Sequence, residues 1–258
     1  MEKMSEWFDL TGQAALVTGA SRGIGKALAM ALAAAGAQVA CMATRVENAE
    51  GTVEEIRKGG GRAIALGGDV SREEDVSAAV EATLGAFSRL DVLVNNAGFL
   101  LEKPFAEISL GEWNRLMDVN LTGMFLCARA VASEMVRSGR GGSIVNVGST
   151  FGKIGVTSCA AYCTSKAAIA GLTRSLAVEY ARHGVRVNCI APGYIATDLN
   201  QEYLQNEKVR KVILSKIPLR RVGLPEELGP LVVLLCARGG GFITGQTIYA
   251  DGGEVIAW

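Results

Sequence analysis

Short apolar runs alternate with longer stretches of helical period along this chain. Ala14–Thr18, Gln38–Ala43, Arg62–Leu66, Asp91–Asn95, Ser143–Val147, Val185–Ile190 and Gln246–Ala250 read as strands. They are short and set off by polar or glycine-rich segments. Between them, Gly25–Ala35, Val46–Lys58, Leu110–Arg137 and Ala161–Arg182 read as helical, and Gly36 marks the end of the first of these. Ser71-Arg72-Glu73-Glu74 has the spacing of a capping box opening another helix. Pro225 stands at the start of a last helix, where its missing N–H is harmless. The alternation predicts a single α/β domain over residues 1–258, one doubly wound parallel sheet with helices on both faces. The one irregular insertion, Thr197–Pro218, is polar at first and then amphipathic through Val209, Val212 and Ile213. Ligands of such sheets bind beyond the carboxyl ends of the strands, so this insertion is a candidate substrate lid.

Composition narrows the reading. Hydrophobic residues make up 49% of the 258 and charged residues 20%, enough for a large core and against disorder. Lys+Arg and Asp+Glu both count 26, which argues against a nucleic-acid partner held by a basic face. The charged start Met1–Trp7 lacks a secretory apolar core, and Leu231–Ala237 is too short to cross a membrane. The six cysteines, at 41, 127, 159, 163, 189 and 236, form no C-x-x-C and read as small core residues of a cytoplasmic protein. The one histidine, His183, precedes Gly184 at a helix end, so no metal site built on two or three histidines is available.

The first strand runs into Thr18-Gly19-Ala20-Ser21-Arg22-Gly23-Ile24-Gly25, a glycine-rich turn opening a helix. Such a turn lets backbone approach a pyrophosphate, and the helix N-terminus offers N–H donors. Gly19 to Gly23 also matches G-x-S-x-G, the nucleophile elbow of hydrolases. That motif needs a general-base histidine and a loop from an earlier strand; only His183 exists, and this is the first strand. Folds preferring NAD place an acid at the end of the second strand, on the ribose 2′-hydroxyl. Here the segment Val39–Arg45 has no acid, Ala43 standing there, and offers Thr44 and Arg45, with Arg22 within reach from the turn. Arginines without a carboxylate suit a 2′-phosphate and hence NADP(H).

Downstream, Tyr162 and Lys166 lie four residues apart and share a helix face. With the nucleotide turn upstream, the chain resembles the short-chain dehydrogenase/reductase family over nearly its whole length. Thr18–Gly25 resembles the cofactor loop, with Gly19, Ser21, Arg22, Gly23, Ile24 and Gly25 as contacts, and Asp69-Val70 the adenine contact. Asn95-Asn96-Ala97-Gly98 resembles the sheet-stabilising motif, with Asn96, Ala97 and Gly98 on the cofactor. Pro192, Gly193, Ile195 and Thr197 resemble the nicotinamide-side contacts, and Asn120, Ser149, Tyr162 and Lys166 the catalytic set.

The resemblance implies a Rossmann fold and hydride transfer between NADP(H) and a ketone or secondary alcohol. Lys166 would hold the nicotinamide ribose and lower the Tyr162 pKa by its charge. Tyr162 would be the acid or base, Ser149 would hold the substrate oxygen, and Asn120 a water leading from Lys166 to solvent. Phe99, Leu100, Leu101, Phe151, Ile154, Val156, Cys159, Tyr194, Leu199 and Tyr203 are candidates for the substrate pocket, an apolar set suited to a ketone with hydrophobic flanks. Two branches of the family compete: 3-oxoacyl carrier-protein reductases, which tend to carry arginines where this chain has Ser133 and Val178, and sugar-acid or general ketone reductases. The alternative from another class, a nucleotide-sensing binding protein, has no need of four intact catalytic residues. Surplus apolar residues on the two long helices, among them Phe125, Val131, Leu176 and Val178, and the apolar end Phe242–Trp258 predict a homotetramer.

Overall fold

The computed structural model describes residues 3–197 and 206–257. Seven strands form one sheet: β1 (Ala14–Thr18), β2 (Gln38–Ala43), β3 (Ala63–Gly67), β4 (Val92–Asn95), β5 (Gly142–Val147), β6 (Val185–Pro192) and β7 (Thr247–Ala250). Their order is β3-β2-β1-β4-β5-β6-β7, and each neighbouring pair is parallel. The chain winds outward from β1 in one direction, then returns to β4 and winds in the other. The junction lies between β1 and β4, where Ala15 faces Val39 on one side and Val92 on the other.

Helices cover both faces: α1 (Gly23–Ala34), α2 (Val46–Lys58), α3 (Glu73–Phe87), α4 (Leu110–Met117), α5 (Gly123–Ser138), α6 (Ala160–Tyr180), α7 (Glu207–Lys216) and α8 (Gly229–Cys236). Ala15 and Val17 of β1 join Leu28, Leu32, Val232 and Leu235 in one core, while Ala14 and Leu16 join Val80, Phe87, Val131 and Met135 in the other. Strands covered on both faces need apolar residues at every position, and all five residues of β1 are buried. No helix among the described residues is long and apolar enough to cross a membrane.

The predicted elements are present with shifted ends. The first helix starts at Gly23, two residues early, and β6 runs on to Pro192, which faces Ala250 of β7. The stretch Leu110–Arg137 is helical but widens into a π turn over Asp118–Thr122. The expected cap at Ser71 does not form. The Ser71 hydroxyl bonds backward to Asp69 Oδ1 at 2.7 Å, and Arg72 precedes α3 with no side-chain cap. A reciprocal capping box does occur at α4: Ser109 Oγ accepts from Glu112 N, and Glu112 Oε2 from Ser109 N. Within the candidate lid, Asn206 caps α7 through the N–H groups of Lys208 and Val209, and Ile213 is buried. Leu199 and Tyr203 lie outside the described residues.

Two polar groups tie the sheet together from beneath. At the amino edge, buried Asp91 accepts from Ala14 N at 2.9 Å, across 77 residues, and from both Nε and Nη2 of Arg89. Within the sheet, Asn95 Nδ2 donates to Asn146 Oδ1, and Asn146 Nδ2 to Thr173 Oγ1 of α6, each at 3.0 Å. This chain of amides fixes β4, β5 and α6 relative to one another.

Candidate active site

A cleft of about 700 Å³ opens at the carboxyl ends of the strands. Its floor is the turn between β1 and α1. Gly19 and Gly23 hold φ of +65° and +54°, a region that side chains disfavour. A Cβ on Gly25 would stand 2.1 Å from the Gly19 carbonyl oxygen, so backbone crosses backbone there. Asn96 locks the turn by donating from Nδ2 to the carbonyls of Thr18 and Gly19, both at 3.1 Å. Thr18 Oγ1 in return accepts from the N–H groups of Asn96 and Ala97. Arg22 precedes α1 with extended backbone and no side-chain cap, leaving the first N–H groups of the helix for an anion.

The far wall of the cleft begins at the end of β2 with Ala43 and Thr44 and passes Asp69 and Val70. Burial opposes ionisation of Asp69, but hydrogen bonds from Ser71 and the charge of Arg115, 3.3 Å away, outweigh it and hold the carboxyl below its usual range.

At the other end of the cleft stand Ser149, Tyr162 and Lys166. Ser149 follows β5, accepts at Oγ from Phe151 N, and hydrogen-bonds the Tyr162 phenol. Burial pushes that phenol up to about 12, with the Ser149 bond working against it. Lys166 lies one turn along α6, buried, its Nζ 2.9 Å from the Val147 carbonyl and 5.6 Å from the centre of the Tyr162 ring. Burial lowers its ammonium to about 8. The lysine was expected to lower the tyrosine; burial is the largest cause at both groups, raising the phenol and lowering the ammonium.

Asn120 sits in the π turn, fully buried behind the cleft wall. Its Oδ1 accepts from Phe99 N and its Nδ2 donates to Phe99 O, both at 2.9 Å. Those two bonds hold the Gly98–Phe99 backbone against the π turn. Gly98 permits this, since its Cα hydrogen points at the Asn120 amide and at Lys166 Nζ.

The cleft brings together most of the residues singled out in the sequence: Gly19, Ser21, Arg22, Gly23, Ile24, Gly25, Thr44, Asp69, Val70, Asn96, Ala97, Gly98, Ser149, Tyr162, Lys166, Pro192, Gly193 and Thr197. Two expected contacts do not line it. Arg45 is exposed at the start of α2 and precedes it with extended backbone. Ile195 is buried and faces a second cavity of about 570 Å³ that includes Tyr194, Pro218 and Asp251. Lining residues not foreseen are Met42, Asn48, Gly68, Arg115, Val119, Val147 and Gly148. Among these, Asn48 could have been found, as it lies one helical turn beyond Thr44, on the same face of the chain.

Of the substrate candidates, Phe151 meets Tyr162 edge-on at 6.0 Å and Tyr194 at 5.9 Å, forming an aromatic wall beside the phenol. Cys159 is buried just before α6, and its thiol is raised to about 11 by burial, with Glu102 and Cys163 adding to the shift. Phe99 and Leu100 stand half-exposed at the mouth. His183 lies before the amino end of β6, at the opposite edge of the parallel sheet from Ser21, so the nucleophile-elbow reading has no base.

A family model described as enoyl-(acyl carrier protein) reductase matches residues 19–254. A 3-oxoacyl-[acyl-carrier-protein] reductase of Synechocystis sp. is 45% identical over 249 residues, covering 96% of this chain and 98% of that one. A solved structure of a putative short-chain alcohol dehydrogenase from Sinorhizobium meliloti superposes with a TM-score of 0.94 at 42% identity, covering 97% of this chain and 99% of the other. A gluconate 5-dehydrogenase from Burkholderia cenocepacia, solved in complex with NADP and tartrate, gives 0.94 at 33% identity over 99% of this chain and 100% of its own.

Proposed function

Because the chain belongs to the short-chain dehydrogenase/reductase family, we propose that it is an NADP(H)-dependent reductase interconverting a ketone and a secondary alcohol, with Tyr162 as the acid or base. The observation that carries this reading is the hydrogen bond between Ser149 and Tyr162 at one end of a cleft whose other end is the glycine turn. The residues fit a dinucleotide: a Cβ at Gly25 would fill the turn, the first N–H groups of α1 have no side-chain cap, and no acid stands at the end of β2. When bound, the cofactor supplies or accepts the hydride. Arg22 and Thr44 in the cleft, with Arg45 next to Thr44, favour the 2′-phosphate.

Ser149 holds the substrate oxygen, and Tyr162 gives it a proton during reduction. With its phenol near 12, Tyr162 stays protonated through the neutral range and is ready as an acid. Lys166 refills the proton lost from Tyr162 and favours the tyrosinate as it forms. Asn120 acts by holding the Gly98–Phe99 backbone in place.

The Phe151–Tyr194 wall supports a ketone with an apolar flank. The carrier-protein reductase reading is favoured by the name of the Synechocystis relative. Against it, Ser133 and Val178 stand where that branch tends to carry arginines. A nucleotide-sensing protein without turnover is the third reading. Following loss of reduced-cofactor absorbance with NADPH and a panel of ketones, sugar keto acids and acyl thioesters separates all three. No turnover with any of them, alongside measurable NADPH binding, would sink the reductase.

We also propose a cytoplasmic homotetramer. Six unpaired cysteines support the compartment. Exposed apolar side chains on α5 and α6, Phe125 and Val178, and near β7, Phe242 and Ile256, support two interfaces.

A further inference from the structure

Glu254 opens the last turn of the described chain, Glu254–Ile256, and its side chain is only 1% exposed. Carboxylates are rarely buried without partners for both oxygens. One partner is the hydroxyl of Thr150, itself buried and next to Ser149. Oε2 has none among the described residues. That oxygen faces Gly193, where a Cβ would come within 2.9 Å of it. Gly193 lines the cleft on its other side, with Ser149 and Tyr162. One carboxyl thus reaches the turn after β5, which carries Ser149, and the turn after β6, which lines the cleft at Gly193.

We propose that Glu254 is a positioning residue of this site, fixing Ser149 through Thr150 and, by its charge behind Gly193, favouring the oxidised cofactor over the reduced one. The second half rests on the NADP(H) reading above. The oxidised nicotinamide ring carries a positive charge and the reduced ring none, so a carboxylate behind the turn discriminates between them. The charged and titratable groups facing Glu254 are Asp251 of its own turn, Lys216 at the end of α7, and Tyr194 after β6. Asp251 is engaged in folding the turn, accepting from Gly253 N and Val255 N. Burial, with Asp251 adding to it, raises the Glu254 carboxyl above its ordinary range, so its ionisation moves to higher pH. The preference for NADP⁺ over NADPH therefore grows as pH rises.

The test is the ratio of the two dissociation constants, measured by fluorescence titration of the whole protein from about pH 5 to about pH 9. The ratio cancels the titration of the 2′-phosphate, which both nucleotides share. Glu254→Gln keeps the size and a partner for Thr150 but cannot ionise, while the titration of Lys166 remains. The expected result is a rise of about tenfold in wild-type preference for NADP⁺ across the range, reduced in Glu254→Gln to the smaller part that Lys166 alone contributes. Thr150→Val should lower kcat through Ser149 and leave that pH dependence intact. A Glu254→Gln protein with the wild-type pH dependence overturns the proposal, as does a wild-type ratio independent of pH. A wild-type protein that binds neither nucleotide overturns the cofactor reading as well.

Discussion

Replacing Lys166 by methionine should make the protein more stable while destroying its activity. Methionine matches the unbranched stem of lysine and removes only the buried ammonium. Burial lowers that ammonium from 10.5 to about 8. One pKa unit corresponds to about 1.4 kcal/mol, so keeping the charge inside costs the fold on the order of 3 kcal/mol at neutral pH. The Val147 carbonyl loses the donor 2.9 Å away, which returns about 1 kcal/mol of that gain. The net expectation is a variant about 2 kcal/mol more stable, or about 6 °C in Tm. The pH dependence identifies the cause. Between about 8 and 10.5 the unfolded lysine holds a proton that the folded one has released. Wild-type stability therefore rises with pH across that window, and the advantage of Lys166→Met shrinks. Urea unfolding of both proteins at equal concentration, at pH 7 and at several values up to 10.5, measures this. A variant no more stable than wild type at pH 7, or an advantage that does not change with pH, refutes the reasoning.

Tyr162→Phe keeps the ring against Phe151 and removes the proton; turnover should fall at least about a hundredfold with NADPH affinity nearly unchanged, and a variant at half the wild-type rate would reject the acid–base role. The wild type should prefer NADPH to NADH, and Ala43→Asp, at the cleft end of β2, should shift kcat/KM toward NADH by repelling the 2′-phosphate; equal use of both cofactors by the wild type counts against the assignment. Light scattering should give four times the 27.0 kDa of one chain; a dimer would leave one of the two proposed interfaces, and a monomer neither.

The sheet and its helices were legible because their signals are local. Apolar runs such as Ala14–Thr18 and the glycines at 19, 23 and 25 need no tertiary information to be read. What escaped depended on competition or on distant contacts. Ser71 had the sequence of a cap, but the Asp69 carboxylate two residues back took its hydroxyl. The π turn at 118–122 adds one residue to a turn without disturbing the apolar pattern on either side. Glu254 reads as one more acid near the end of the chain; only the packing of that turn against β5 and β6 shows it to be buried.

The seam between β1 and β4 also dictates how this chain must be assembled. On the ribosome β1, β2 and β3 emerge first, and β1 is then half a strand pair, with one apolar edge unfilled. It waits until β4 has been translated, and Asp91, just ahead of β4, is the residue that takes up the Ala14 N–H on docking. Pairing across 77 residues must overcome a large loop entropy before any contact rewards it. Fragments that stop short of residue 91 should therefore aggregate through the open edge of β1.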